Sequence, residues 1–138
     1  MAYTKVKLPG GDYSSSGNLE NAFRRAPLLT TIEIDGTANF SGITSYTDCF
    51  YNDTGLTTII GNITGISANI NLSACPLTKE SALVILNGLA NTETTKTVTF
   101  SRTTKALLTG ADLSIATSKG WSVMPNDVVI TFEDSAVK

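Results

Sequence analysis

Few residues of this chain could do chemistry. Histidine, the residue most often used as a general base and as a metal ligand, does not occur among its 138 residues. Asp48 and Asp53 are close in sequence, and a pair of acids can hydrolyse a glycosidic bond. Both acids fall at a predicted turn, however, where carboxylates are common for structural reasons. The sequence has no nucleophile elbow and no phosphate-binding glycine loop. We therefore predict that the protein is not an enzyme, and a glycan hydrolase stays a hypothesis without a catalytic set.

The two cysteines and one short loop are the remaining candidates for redox or metal chemistry. Cys49 and Cys75 are 26 residues apart. Reduced thiols packed in the core are the favoured interpretation, and a disulfide between neighbouring segments is the alternative. Residues 51–55 faintly resemble a calcium-binding loop but lack the rest of its ligand spacing. The sequence thus predicts no metal and no cofactor.

A binding surface is better supported than a catalytic one. In two similar segments, a pair of large polar residues follows a phenylalanine that we predict to be buried. Equivalent positions in stacked segments form a continuous stripe, and Arg and Tyr are favoured at protein interfaces. An ordinary solvated turn is the alternative interpretation. The candidate partner-binding residues of this stripe are Arg24, Arg25, Tyr51 and Asn52, with Tyr46 as an extension.

The two ends of the chain are further candidates for partner binding. Residues 5–8 alternate as a short edge strand, and residues 127–133 read as a strand after the last predicted core element. Edge strands pair readily with other chains, and internal capping of the fold is the alternative. The candidate residues here are Val6, Leu8, Val129 and Phe132.

These candidates are positioned by a duplicated segment. Residues 21–32 match residues 48–59 at an offset of 27, with Phe23 aligned to Phe50. A fixed period of this length is typical of solenoid repeats, in which stacked units form the core. We therefore predict that the two phenylalanines are buried in a stack. The segments predict strands at 28–34, 40–45 and 56–60, and helical turns at 18–23 and 46–52.

The second part of the chain predicts regular helices between strands. Thr78 and Thr109 stand at helix N-cap positions, and Asp112 completes a capping-box pattern with Thr109. Val98 and Phe100 alternate as the inward residues of a strand. The strands predicted here lie at 69–73, 96–101 and 121–124.

The duplicated segment resembles the BspA-like subclass of leucine-rich repeats, which repeat an aromatic residue and a small residue or cysteine before a Leu-Thr-Ser-Ile-like strand. The motifs that carry the resemblance are Phe23 with Leu29-Thr30-Thr31-Ile32, and Cys49-Phe50 with Leu56-Thr57-Thr58-Ile59. The resemblance implies an α/β fold, a short leucine-rich-repeat solenoid with a strand plus a helical turn or helix in each coil. The implied organisation is an N-terminal arm at 1–17, a repeat domain at 18–124, and a C-terminal strand and tail at 125–138.

The stretch from 71 to 121 looks like the closing module of such arrays, which is associated with tail, fibre and other virion proteins of phages. This resemblance implies a non-enzymatic virion component in a capsid-decoration, head-fibre or tail position. Its implied partners are other virion proteins, further copies of the chain, or a glycan or protein of the host surface. The alternative is an adhesin module of a bacterial cell surface, for which we expect a secretion signal or an anchor; the first seven residues do not resemble a signal peptide. The net charge of −2 gives no support for nucleic acid or an anionic membrane as a partner.

Overall fold

The computed structural model describes residues 3–13, 15 and 17–126. Over these residues the chain forms seven strands and three helices. The strands are β1 (Lys5–Leu8), β2 (Gly11–Asp12), β3 (Thr31–Asn39), β4 (Thr58–Thr64), β5 (Ile70–Leu72), β6 (Lys96–Phe100) and β7 (Trp121–Met124). The helices are α1 (Lys79–Gly88), α2 (Arg102–Ala106) and α3 (Gly110–Thr117). Among the described residues, no helix has the length and apolar character needed to cross a membrane.

The first sheet is built around β3, the longest strand. β1 and β2 pair with successive parts of one edge of β3, β4 pairs with the other edge, and all three pairings are parallel. Thr31 lies opposite Thr58 in the β3–β4 pair, which is the offset of the duplicated segment. Alternate residues such as Ile32 and Ile34 are buried, as expected for a strand with one face on the core.

The second sheet has three strands in the order β5-β6-β7, again all parallel. Helix α1 lies between β5 and β6 in the chain and packs against both β4 and α3. Helices α2 and α3 connect β6 to β7. Parallel neighbours need a crossover connection of this kind, because a hairpin cannot join them.

Buried side chains beneath both sheets form one hydrophobic cluster. The rings of Phe23 and Phe50 stack in it, with centroids 5.8 Å apart and planes inclined by 23°. Phe50 is buried as predicted, whereas Phe23 is half-buried at the border of the cluster. Their stacking is therefore confirmed, and full burial holds for Phe50 alone.

The predicted fold class, a leucine-rich-repeat solenoid with a strand and a helical turn or helix in each coil, is wrong. The strands fall into two separate sheets, and the three described helices all lie between 79 and 117, so the elements do not recur as one unit along the chain. The repeated pairing ends after β4, because β5 pairs with β6 rather than with β4. Between them, Gly65 has a φ of +78°, and a Cβ there would come within 2.8 Å of the backbone nitrogen of Ser41, so this position suits glycine.

Several element predictions are also corrected. The strand predicted at 40–45 is absent, and the helical turns predicted at 18–23 and 46–52 are tight turns without helix. The strand predicted at 28–34 begins at Thr31 and continues to Asn39 as β3, with a register irregularity between Glu33 and Thr37. Helix α2 was not predicted. The predicted N-caps Thr78 and Thr109, the capping box, and inward Val98 and Phe100 are confirmed. The strand predicted at 127–133 lies outside the described residues.

Candidate functional site

Two neighbouring turns, at 20–25 and 47–52, position the predicted stripe. The backbone N–H groups of Phe23 and Arg25 donate hydrogen bonds to the carbonyls of Cys49 and Tyr51, at 2.9 and 2.7 Å. Each turn therefore satisfies polar groups of the other, as buried backbone groups require. Side chains from the two turns are consequently held beside one another on the surface.

Four residues of these turns have a left-handed backbone, although none of them is glycine. Asn21 and Asp48 have φ values of 60° and 53°, and Arg25 and Asn52 have values of 55° and 61°. Asn and Asp tolerate this region well because their short side chains bond locally, but for arginine it is uncommon. Such a conformation persists only where the surroundings impose it, and it is enriched at functional sites.

A buried carboxylate ties the two turns to the strands that follow. Asp53 is fully buried, and its Oδ1 accepts a hydrogen bond from the backbone N–H of Ala26 at 2.9 Å. Its Oδ2 has no hydrogen-bond partner among the described residues. Burial raises the pKa of Asp53, and the bond from Ala26 offsets part of that rise. Asp53 therefore links the second turn to the backbone at Ala26.

Above the turns, two guanidinium groups lie against one tyrosine ring. The Cζ atoms of Arg24 and Arg25 are 4.9 and 5.9 Å from the ring centroid of Tyr51, within the range of a cation–π contact. Tyr51 itself is 44% exposed. Neither arginine side chain makes an ion pair or a hydrogen bond with a described residue, and the Nε of Arg24 is buried without an acceptor. Two positive charges thus lie against the Tyr51 ring without an anionic partner among the described residues.

Tyr51 also forms one wall of an open groove of about 330 Å³. The other polar lining residues are Asp48, Asn52, Asn71 and Ser73. The Oδ1 of Asn71 accepts a hydrogen bond from the backbone N–H of Ser73 at 2.9 Å, which leaves the Asn71 amide nitrogen to point elsewhere. The side chain of Asn52 makes no hydrogen bond within the described part of the chain. The groove, which is lined by Tyr51 but by neither arginine, therefore offers amide groups for hydrogen bonding.

The remaining predicted site residues are placed differently. Tyr46 is in the core at 4% exposure rather than on the stripe, and its hydroxyl has no hydrogen-bond partner among the described residues. Burial raises the pKa of Tyr46 well above its usual range. Val6 and Leu8 are half-buried in β1 and pack against the core. Val129 and Phe132 lie outside the described residues.

The cysteines are structural. Cys49 and Cys75 are buried and unbridged, and burial raises the pKa of each thiol to about 12. A thiol protonated at neutral pH is a poor nucleophile and a poor metal ligand. In the part of the chain that the structure describes, no group of three or more acids or cysteines is arranged to hold a metal ion.

Sequence reasoning found the arginine pair and Tyr51 but missed the groove that Tyr51 lines. Asn71 and Ser73 fall in the strand predicted at 69–73; Asn71 lies within β5 and Ser73 directly after it, both with exposed side chains. Their polar type at alternating positions was the only signal in the sequence. Such alternation does not indicate that these residues share a groove with a turn 20 residues earlier. No protein-family model, curated protein or solved structure matches the chain.

Proposed function

We propose that the protein is a non-enzymatic structural and binding module of a phage virion, in a capsid-decoration, head-fibre or tail position, and that it contacts a host-surface ligand. The binding part is carried by one observation: Arg24 and Arg25 lie against the exposed ring of Tyr51, and neither has an anionic partner in the part of the chain that the structure describes. The virion part is supported by the sequence resemblance of the duplicated segment and of residues 71–121.

The arginine pair is suited to binding because neither side chain makes a hydrogen bond or an ion pair with a described residue of the fold. A guanidinium carries its charge at every physiological pH and presents several donors in one plane. Contact with the Tyr51 ring restricts its motion before a ligand arrives, which lowers the entropy lost on binding. Arg and Tyr are also the residue types that dominate binding energy at interfaces.

A second surface is available for attachment to the particle. Within the described strands, β1 pairs with β3 along one edge only. Its exposed positions carry Lys5 and Lys7, and Lys5 forms an ion pair with Glu33 of β3. Further copies of the chain or other virion proteins would contact this side of β1, so attachment and ligand binding use different parts of the molecule.

Two measurements test the proposal. Mass spectrometry of purified particles should detect the chain, and recovery in the cell-envelope fraction instead would favour the adhesin alternative. Purified wild-type chain should also compete with the particles for adsorption to host cells, while the double variant Arg24→Gln/Arg25→Gln should not. Equal competition by both proteins would contradict the assignment of this surface.

A further inference from the structure

We infer that two adjoining polar grooves beside the turn at 47–52 bind a neutral oligosaccharide. The first is the groove lined by Tyr51, and the second has a volume of about 370 Å³ and is lined by Thr97 and Thr99 among others. Because Asp48 and Asn71 line both, the two grooves form one trough. This site goes beyond the proposed function, since neither arginine lines the trough and its ligand does not depend on the adsorption test.

Side chains that alternate along β5 and β6 supply most of the polar groups of the second groove. Asn69 and Asn71 are exposed on either side of buried Ile70. Thr97 and Thr99 alternate with buried residues of β6 in the same way, and Asn71 lies opposite Thr99 in the register of the two strands. Alternate residues of a strand lie on one face of the sheet. The second groove is therefore lined by two amides and two hydroxyls that the sheet holds side by side.

The backbone fixes the direction of both amides. The Oδ1 of Asn69 accepts a hydrogen bond from the backbone N–H of Thr97 at 2.8 Å. The Oδ1 of Asn71 accepts one from the backbone N–H of Ser73 at 2.9 Å. Each amide nitrogen keeps both of its N–H groups for a ligand, because neither nitrogen bonds to a described residue. A ligand therefore meets oriented donors and loses less entropy in ordering these side chains.

The charge of the trough favours hydroxyl groups over an anion or a cation. Of the described residues that line the trough, Asp48 alone is charged, and its carboxylate would repel an anionic ligand. A single exposed carboxylate is also a weak partner for a cation and too few ligands for a metal ion. A sugar hydroxyl both donates and accepts. Neighbouring hydroxyls of one sugar can therefore donate to Asp48 and accept from the amide of Asn71.

Apolar groups in the first groove suit the C–H groups of a sugar ring. Phe50, Tyr51 and Ala74 line this groove beside its polar residues, and Tyr51 is 44% exposed. A protein partner would be anchored by large side chains in desolvated pockets, whereas the trough is open and its side chains are mainly polar. Each groove is near the lower limit of about 300 Å³ for small-molecule sites. The trough therefore suits a short oligosaccharide better than a single sugar or a protein.

The test begins with the full chain on an array printed with defined short oligosaccharides, neutral and acidic. Neutral oligosaccharides should give the strongest signals. The neutral tetrasaccharide that gives the highest signal is then titrated into the full chain by isothermal calorimetry. In NMR spectra of the wild-type chain, the side-chain amide signals of Asn69 and Asn71 should shift as this tetrasaccharide saturates the site.

Variants locate the binding within the trough. Asn71→Ala and Thr99→Val should each weaken binding of the tetrasaccharide at least about threefold, because each removes hydrogen bonds to the ligand. Asn62→Ala makes the same change at an exposed position of β4, outside the trough, and should keep the wild-type affinity. The double variant Arg24→Gln/Arg25→Gln should keep it as well.

Three results would overturn the inference. These are an array on which no neutral oligosaccharide is bound above the blank, affinity that Asn71→Ala and Thr99→Val leave unchanged, or tighter binding of spermidine than of the tetrasaccharide. Melting curves show whether a variant has lost its fold. If Asn71→Ala is unfolded, Thr99→Val and the NMR shifts of the wild-type chain decide. Because the arginine pair is not part of the trough, failure here leaves the proposed function standing, and failure of the adsorption test leaves the trough standing.

Discussion

The connections before β4 and those after β5 satisfy their backbone polar groups in different ways. In the first region, the turns at 20–25 and 47–52 bond to each other, and Asp53 completes the set through Ala26. In the second region, α1 and α3 satisfy their own backbones, and Thr78 and Thr109 cap their first turns. A turn of the first region therefore needs the neighbouring turn to complete its backbone hydrogen bonds, whereas a capped helix completes most of them within itself.

This difference explains why the candidate site is in the first region. Turns that interlock through backbone atoms leave their side chains free to reach the surface, where Arg25 and Asn52 are exposed. The helices of the second region instead bury residues such as Ala82 and Leu86 in the core. We therefore expect changes in the turns to have large or functional effects, and changes at the helix caps to have small, local ones.

The largest effect is expected where the two turns meet in the core. Phe50→Ala should lower the free energy of unfolding by about 3–5 kcal/mol, because it leaves a cavity and removes the stack with Phe23. Phe23→Ala should cost less, since Phe23 is only half-buried. Urea unfolding of both variants measures the two losses in unfolding free energy. A Phe50→Ala curve that overlays the wild-type curve would show that the turns are not held by the core.

The next largest effect on the free energy of unfolding is expected from loss of the buried carboxylate of Asp53. Asp53→Ala removes the acceptor of the Ala26 N–H and leaves that donor buried, which should cost about 1–3 kcal/mol. Thr54→Ala, at the exposed neighbouring position, is the matched control and should stay close to wild type. Equal unfolding midpoints for the two variants would mean that Asp53 does not hold the turns.

Asp53 should also give the first region a pH dependence. Its pKa in the folded protein is raised above the ordinary value of 3.8, so the folded state keeps this proton to higher pH than the unfolded state does. Its contribution to stability should therefore fall as pH rises from about 3.8 through the raised pKa, and stay constant above it. The difference in unfolding free energy between wild type and Asp53→Asn, measured across pH, should follow this curve. A difference that does not change with pH would contradict the raised pKa.

Loss of a helix cap in the second region should have a smaller effect on the free energy of unfolding. Thr109→Ala breaks the capping box with Asp112 and should lower stability by about 1 kcal/mol. Thr117→Ala, at an exposed position near the end of the same helix, should show no such loss. Thermal unfolding of the pair compares them directly, and a loss of several kcal/mol at Thr109 would show that the helices are as interdependent as the turns.

The division between the two regions also separates the features that the sequence could predict from those that it could not. Caps such as Thr78 and Thr109 and the inward face of β6 depend on residues close in the chain, and those predictions are correct. The division into two sheets depends on β5 pairing with the distant β6 rather than with β4, and short α2 has no apolar periodicity to reveal it. The burial of Tyr46 and Asp53 and the groove beside Asn71 depend on contacts with distant segments, which residue types and spacing do not specify.

We propose above all that the arginine pair serves binding and not stability. The most direct test is the free energy of unfolding of Arg25→Gln measured beside Arg102→Gln. An exposed cation–π contact contributes about 0.5–1 kcal/mol, so Arg25→Gln should lose no more than that, while Arg102→Gln should remain within about 0.5 kcal/mol of wild type. A loss of several kcal/mol in Arg25→Gln alone would make Arg25 a structural residue of the turn and would contradict the claim.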